Sequence, residues 1–179
     1  MTDTVTREHR SVEGNDLTEA FRREAPGLLG FFLRRDVPGH DAADLVSETF
    51  LAAWRGIGRH RIDMDMLRAW LFGIARKVLS QYRRGRLRRS ALADRVRSTL
   101  EDDGTARSDG SAGEAESELI LHTRELIRHL PALDREIVRL VYWEGFSQEE
   151  VAVIIGKPAT AVRSRLSRAR SALRAQLTD

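Results

Sequence analysis

Apolar positions recur at helical spacing from about Asp16 to Arg97, and again from Ser117 to the end of the chain. Residues 98–116 break the pattern with Asp, Glu, Gly, Ser and Thr and almost nothing apolar. No stretch alternates as a half-buried strand would. The pattern predicts an all-α fold of two small helical domains joined by a flexible acidic linker. The expected boundaries are a disordered N-terminus at 1–15, a first domain at 16–97, the linker at 98–116 and a second domain at 117–179. In the first domain, one helix begins at Leu17 and a second starts at Pro26 and runs to Arg35. Residues 36–40 form a loop, and Asp41 caps a third helix that reaches Trp54. After a loop from Gly56 to Asp65, a long helix runs from about Met66 to Arg86 or beyond. In the second domain, Leu119, Leu126, Ile127 and Leu130 mark one helix, and Pro131 starts another over Ala132 to Glu144.

The final segment carries the most specific signal. Ser147 followed by Glu150 is a capping box, so a helix starts there. Val151, Ala152 and Ile155 form its apolar stripe, and Gly156 supplies a left-handed stop. Pro158 suits the first turn of the next helix. That helix puts Val162, Leu166, Ala169 and Leu173 on one side and Thr160, Arg163, Ser164, Ser167, Arg168 and Ser171 on the other. A short helix, a tight turn and a second helix dry on one face and cationic on the other make a helix-turn-helix suited to the major groove.

Two earlier helices carry further candidates. On the third, Leu45, Val46, Thr49, Phe50 and Ala53 share one face, and Asp44, Glu48 and Leu51 stand on the opposite one. The second face reads as a protein-docking surface or as a solvated face with one stray leucine. On the long helix, basic residues interleave with Trp70, Phe72 and Tyr82. Cations beside aromatic rings suit unpaired bases, which stack while arginine holds phosphate. Trp70 and Phe72 read more readily as core. The preceding loop, with Arg59, His60 and Arg61, offers groups able to hold a base flipped from a duplex.

Charge sharpens this picture. The net charge is only +3, but the signs are segregated. Arg55–Arg97 holds thirteen Lys/Arg against three acids, Ser98–Glu118 seven acids against one arginine, and Lys157–Asp179 six Lys/Arg against one acid. Two basic blocks on either side of an acidic stretch point to two polyanion-binding units. With no cysteine in the chain, disulfides and thiolate metal sites are excluded. The five histidines show no metal spacing and there is no Gly-rich phosphate loop, so neither a cofactor nor catalysis is expected. No apolar run reaches membrane-spanning length and the first twenty residues do not resemble a secretory signal, so a cytoplasmic protein without membrane insertion is expected.

Five segments together resemble the bacterial sigma-70 family, in its small extracytoplasmic-function group. They are Asp44–Trp54, Arg68–Arg76, Leu130–Arg135, Gly145–Ala152 and Val162–Arg170, in the family's order and spacing. The resemblance implies a sigma factor that binds core RNA polymerase at its clamp and flap regions and directs it to promoter DNA. It implies that Asp44, Glu48 and Leu51 dock on the clamp. Residues 58–84 would open the −10 element and hold its bases, with Arg59, His60, Arg61, Trp70, Arg76, Lys77, Gln81 and Arg84 as the contacts. Gln148, Thr160, Arg163, Ser164, Ser167, Arg168 and Arg170 would read the −35 element. It also implies an anti-sigma factor as a partner and a monomer when free. The chain departs from the family at Lys77, where asparagine is usual, at Gln81, where aspartate is frequent, and at Ala161, where threonine is usual. The alternative is a stand-alone regulator that uses only the C-terminal helix-turn-helix.

Overall fold

The computed structural model describes residues 14–57, 62–99 and 118–178. Seven helices account for nearly all of them: α1 (Gly14–Leu33), α2 (Gly39–Gly56), α3 (Leu67–Thr99), α4 (Glu118–His129), α5 (Ala132–Tyr142), α6 (Gln148–Ile155) and α7 (Ala159–Thr178). The fold is all-α, with α1–α3 forming one group and α4–α7 the other. The expected disordered N-terminus and most of the expected linker lie outside the described residues. Helix α3 runs to Thr99, two residues past the expected end of the first domain at 97.

Two local expectations are corrected. Pro26 does not start a new helix but lies inside a single α1. An internal proline costs about 3 kcal/mol through its missing N–H and its clash with the preceding turn. Packing on both sides outweighs that cost: Leu17 and Ala20 before it, and Leu28, Phe31 and Phe32 after it, are all buried. Asp41 does not cap α2 either. The helix begins at Gly39 after Pro38, and no side chain caps it. Asp41 lies in the first turn, and its Oδ2 accepts a hydrogen bond from the Tyr82 hydroxyl of α3. Burial, and then this carboxylate, raise the Tyr82 hydroxyl above the usual phenol pKa, so it remains a donor.

The first group packs α2 against both α1 and α3. Leu45, Thr49 and Ala53 of α2 face inward as expected, and Thr49 Oγ1 donates to the Leu45 carbonyl at 2.7 Å. A smaller cluster of Leu17, Ala20, Ala53, Ile62, Leu67 and Leu71 fills one end, with Trp70 half-buried against it. In the second group, α7 lies across α5 and α6.

The two groups are not held apart. One apolar core runs through both, from Phe31, Phe32, Phe72 and Val78 to Ile137, Phe146, Ile154 and Val162. Helix α6 packs along α3 about as closely as α2 does. The approach is possible because Gly73 faces α6: a Cβ there would lie 3.6 Å from the Cα of Ile154. Among the described residues, no buried side-chain nitrogen or oxygen lacks a hydrogen-bond partner.

Candidate functional site

The helix-turn-helix forms as its residues dictate. Ser147 Oγ accepts from the Glu150 backbone N–H at 3.2 Å, and Glu150 Oε2 accepts from the Ser147 N–H at 2.8 Å. Both ends of the capping box are therefore closed, and two of the first-turn donors of α6 are satisfied. Gly156 ends the helix at φ 71°, ψ 42°, a conformation that costs any side chain with a Cβ. Pro158 sits just before α7 rather than inside its first turn, and its carbonyl accepts from the Ala161 and Val162 N–H groups.

Helix α7 divides as its periodicity predicts. Val162, Leu166 and Ala169 are buried and Leu173 packs at the core edge. Thr160, Arg163, Ser164, Ser167 and Arg168 are exposed along the opposite side. The helix is fixed to α5 by Arg165, whose Nη1 donates to Asp134 Oδ1 at 2.8 Å. Arg170 Nε donates to the Tyr142 hydroxyl at 2.6 Å, which steers that guanidinium toward the end of α5. Arg163 has a carboxylate, Glu149, 3.8 Å away on α6, with both side chains well exposed. Such a pair is worth little in water and leaves Arg163 free to exchange partners. Gln148 is half-buried at the start of α6.

On α2, Asp44, Glu48 and Leu51 are all exposed, and so is Trp54 one turn beyond Leu51. Leu51 and Trp54 are each 51% exposed, so two large apolar side chains border the acidic pair. On α3, Arg76, Lys77, Gln81 and Arg84 share a groove of about 670 Å³ whose far wall is Ala132, Leu133 and Glu136 of α5. Lys77, Gln81 and Arg84 are exposed and Arg76 is half-buried. Arg59, His60 and Arg61 lie outside the described residues. Trp70 is half-buried against the smaller cluster, whereas Phe72 is fully buried and belongs to the core. Among the described residues, no group of three or more His, Asp or Glu could hold a metal ion. No described helix is long and apolar enough to cross a membrane.

Sequence reasoning missed one constellation. Arg34 and Arg35, at the end of α1, reach across to Glu144 in the turn after α5. Arg35 Nη1 donates to Glu144 Oε1 at 3.0 Å and to the Phe31 carbonyl at 2.9 Å. Its Nε and Nη2 grip Glu136 of α5 at 3.3 and 3.0 Å. Arg34 Nη2 holds the other oxygen of Glu144. Arg68 of α3 donates to the Glu144 carbonyl at 2.7 Å and stands 4.0 Å over the ring of Phe146. The one available signal was a pair of arginines just after the apolar run Leu28–Leu33 that ends α1.

This is an all-helical chain that presents a cationic recognition helix and, elsewhere, an acidic and apolar docking helix. Comparison with known proteins agrees. Residues 20–89 match the family model described as Sigma-70 region 2, and residues 123–173 match Sigma-70, region 4. The RNA polymerase sigma factor NccH of Alcaligenes xylosoxydans xylosoxydans is 35% identical over 146 residues, 79% of this chain and 75% of that protein. The ECF RNA polymerase sigma-E factor of Haemophilus influenzae is 32% identical, over 87% of this chain and 82% of that one. The sigma factor RpoE from Bartonella quintana, solved in complex with the anti-sigma factor NepR, is 26% identical with a TM-score of 0.62, covering 92% of this chain and 98% of that one. The chain belongs to the sigma-70 family of RNA polymerase sigma factors, in the extracytoplasmic-function group. It is therefore a promoter-directing factor for RNA polymerase, and the stand-alone regulator reading falls.

Proposed function

We propose the following division of labour within this sigma factor. Residues 16–97 act as the polymerase-docking and −10 domain, 98–116 as the linker, and 117–179 as the −35 domain. Asp44, Glu48 and Leu51 engage the clamp of core polymerase. Arg76, Lys77, Gln81 and Arg84, together with Arg59, His60, Arg61 and the exposed edge of Trp70, hold the opened −10 strand. Gln148, Thr160, Arg163, Ser164, Ser167 and Arg168 face the −35 duplex, and Arg170 contacts phosphate. The chain contributes binding energy and no catalysis of its own, and it works in the cytoplasm. An anti-sigma factor is its inhibitor, in keeping with the Bartonella quintana complex of a similar chain.

The observation that carries this reading is the outward face of α7. Five polar side chains stand clear of the core on one helix whose other side is buried. Arg163 and Ser164 come early in that helix, where a recognition helix meets base edges. The test is transcription in vitro with core polymerase on a panel of −35 variants. Promoter-dependent initiation that requires the chain, and base preferences that shift when Arg163 is replaced, are the expected results. Initiation whose base preferences ignore every replacement on this face would overturn the assignment.

A further inference from the structure

We propose that the cavity between the end of α1 and helices α4 and α5 binds a small organic phosphate carrying a planar ring, of the nucleoside diphosphate class. No residue of this cavity belongs to the α2 docking face, the −10 groove or the outward face of α7.

The cavity holds about 380 Å³, within the ~300–1,000 Å³ range of small-molecule sites. Arg34, Arg35, Arg128 and Arg139 line it, against the carboxylates of Asp36 and Glu144. Both oxygens of Glu144 are already held, by Arg34 and Arg35. Arg35 is likewise committed, to Glu136, Glu144 and the Phe31 carbonyl, and supplies field rather than contact. Arg34 and Arg128 each commit one nitrogen, to Glu144 and Glu125, and a guanidinium carries five donors. Arg139 is the most exceptional of the four. It is half-buried, and among the described residues it forms no ion pair, since the nearby Glu136 is gripped by Arg35. Burial, and then the Arg35 guanidinium, lower its pKa from the ordinary arginine value. A cation crowded by a like charge and without a bound carboxylate is a ready partner for phosphate.

The ring half of the site is Trp143. Its backbone N–H donates to the Arg139 carbonyl at 2.9 Å, so the indole and the guanidinium leave the end of α5 one turn apart on the same side. Trp143 is 44% exposed, and Leu33 in the same cavity wall is 46% exposed. Large apolar side chains open beside cations suit a ligand that stacks as well as pairs, since an aromatic face holds a planar ring while arginine holds its phosphate. Inorganic phosphate would leave the indole and Leu33 in water, and a free nucleoside would leave Arg139 without an anion. Asp36, exposed in the same wall, offers an acceptor for a ring amino group or a sugar hydroxyl. A ligand touching α1, α4 and α5 together stabilises the chain by mass action, which links nucleotide concentration to its stability.

The test is calorimetric titration of the full-length chain with ADP and GDP, and with adenosine and inorganic phosphate as the two halves of the ligand. The expected result is saturable binding of a diphosphate about ten-fold or more tighter than of either half, and a Tm that rises with diphosphate concentration. Arg139→Gln should weaken that binding about ten-fold or more, the loss of one hydrogen bond to a charged group. It should leave the ligand-free Tm unchanged or higher, because it removes the charge beside Arg35. Trp143→Ala should weaken diphosphate binding about five-fold or more and leave phosphate binding as it was. Arg22→Gln, an exposed charge of α1 outside the cavity, should bind as the wild type does. Absence of saturable binding of either diphosphate up to ~1 mM overturns the site. So does inorganic phosphate or adenosine binding as tightly as the diphosphates. Arg139→Gln and Trp143→Ala both keeping wild-type affinity, or Arg22→Gln losing as much as they do, places binding elsewhere and likewise overturns it. The titration needs neither polymerase nor promoter, so its failure leaves the sigma-factor assignment standing.

Discussion

Helices α2 and α7 each bury one stripe and expose the other, and they differ in what the exposed stripe carries. On α2 it holds two carboxylates beside Leu51 and Trp54. On α7 it holds arginines and hydroxyls, and among the described residues no large apolar side chain is exposed there. Apolar side chains beside charge suit a protein surface, where area is removed from water and charge fixes the register. Arginine with serine and threonine suits a polyanion whose base edges present donors and acceptors. The same amphipathic construction therefore yields two kinds of interface, and the exposed residues alone decide which.

The comparison breaks most visibly on α2. Replacing both Asp44 and Glu48 with Arg should reduce core-polymerase affinity about 100-fold or more, since like charges juxtaposed across an interface cost several kcal/mol. Circular dichroism should show unchanged helicity, because both side chains are exposed. Unaltered affinity would remove this face from docking. Next in size, Leu166→Ala on the buried side of α7 should destabilise the C-terminal helices by about 2–5 kcal/mol and abolish −35 reading together with stability, as measured by thermal unfolding. On the exposed side of the same helix, Arg163→Ala should leave the melting temperature unchanged. It should cost about 1–3 kcal/mol at one or two −35 base pairs, seen as flattened preference across a promoter panel. Smallest of all, Arg170→Ala should weaken every promoter alike and lower the salt slope of binding by about 1. The Tyr142 hydroxyl already engages Arg170, so Tyr142→Phe should change that slope as well, in a direction that shows whether the tyrosine aims the guanidinium or competes for it.

These opposed faces were legible in the sequence because their signals are local. A capping box, a left-handed glycine and a 3.6-residue period each lie within one or two turns of chain, and tertiary packing at α6 and α7 reinforces them. Helix α1 was read as two because Pro26 is a strong local signal that Leu28, Phe31 and Phe32 override by burial. Asp41 was read as a cap because an acid at a helix start ordinarily is one, whereas Tyr82, forty-one residues away, engages it. The Glu144 constellation was illegible for the same reason in stronger form. Glu144 and its arginine partners are separated by 76 to 110 residues, and in a linear reading each charge belongs to a solvated face. Arg59, His60 and Arg61 lie outside the described residues and rest on the sequence alone.

Gly73 carries a consequence of another kind. At the crossing of α3 and α6 a methyl group at residue 73 would meet the Ile154 backbone at van der Waals distance. Alanine there would fit, and would favour α3 by about 0.5–1 kcal/mol over a mid-helix glycine. Valine or leucine would act as a wedge, parting the helices while leaving Arg34, Arg35, Arg68, Glu136 and Glu144 chemically intact. The spacing between the two halves of the molecule is thus calibrated by volume at a single position, and residue 73 works as a shim whose thickness can be changed one carbon at a time.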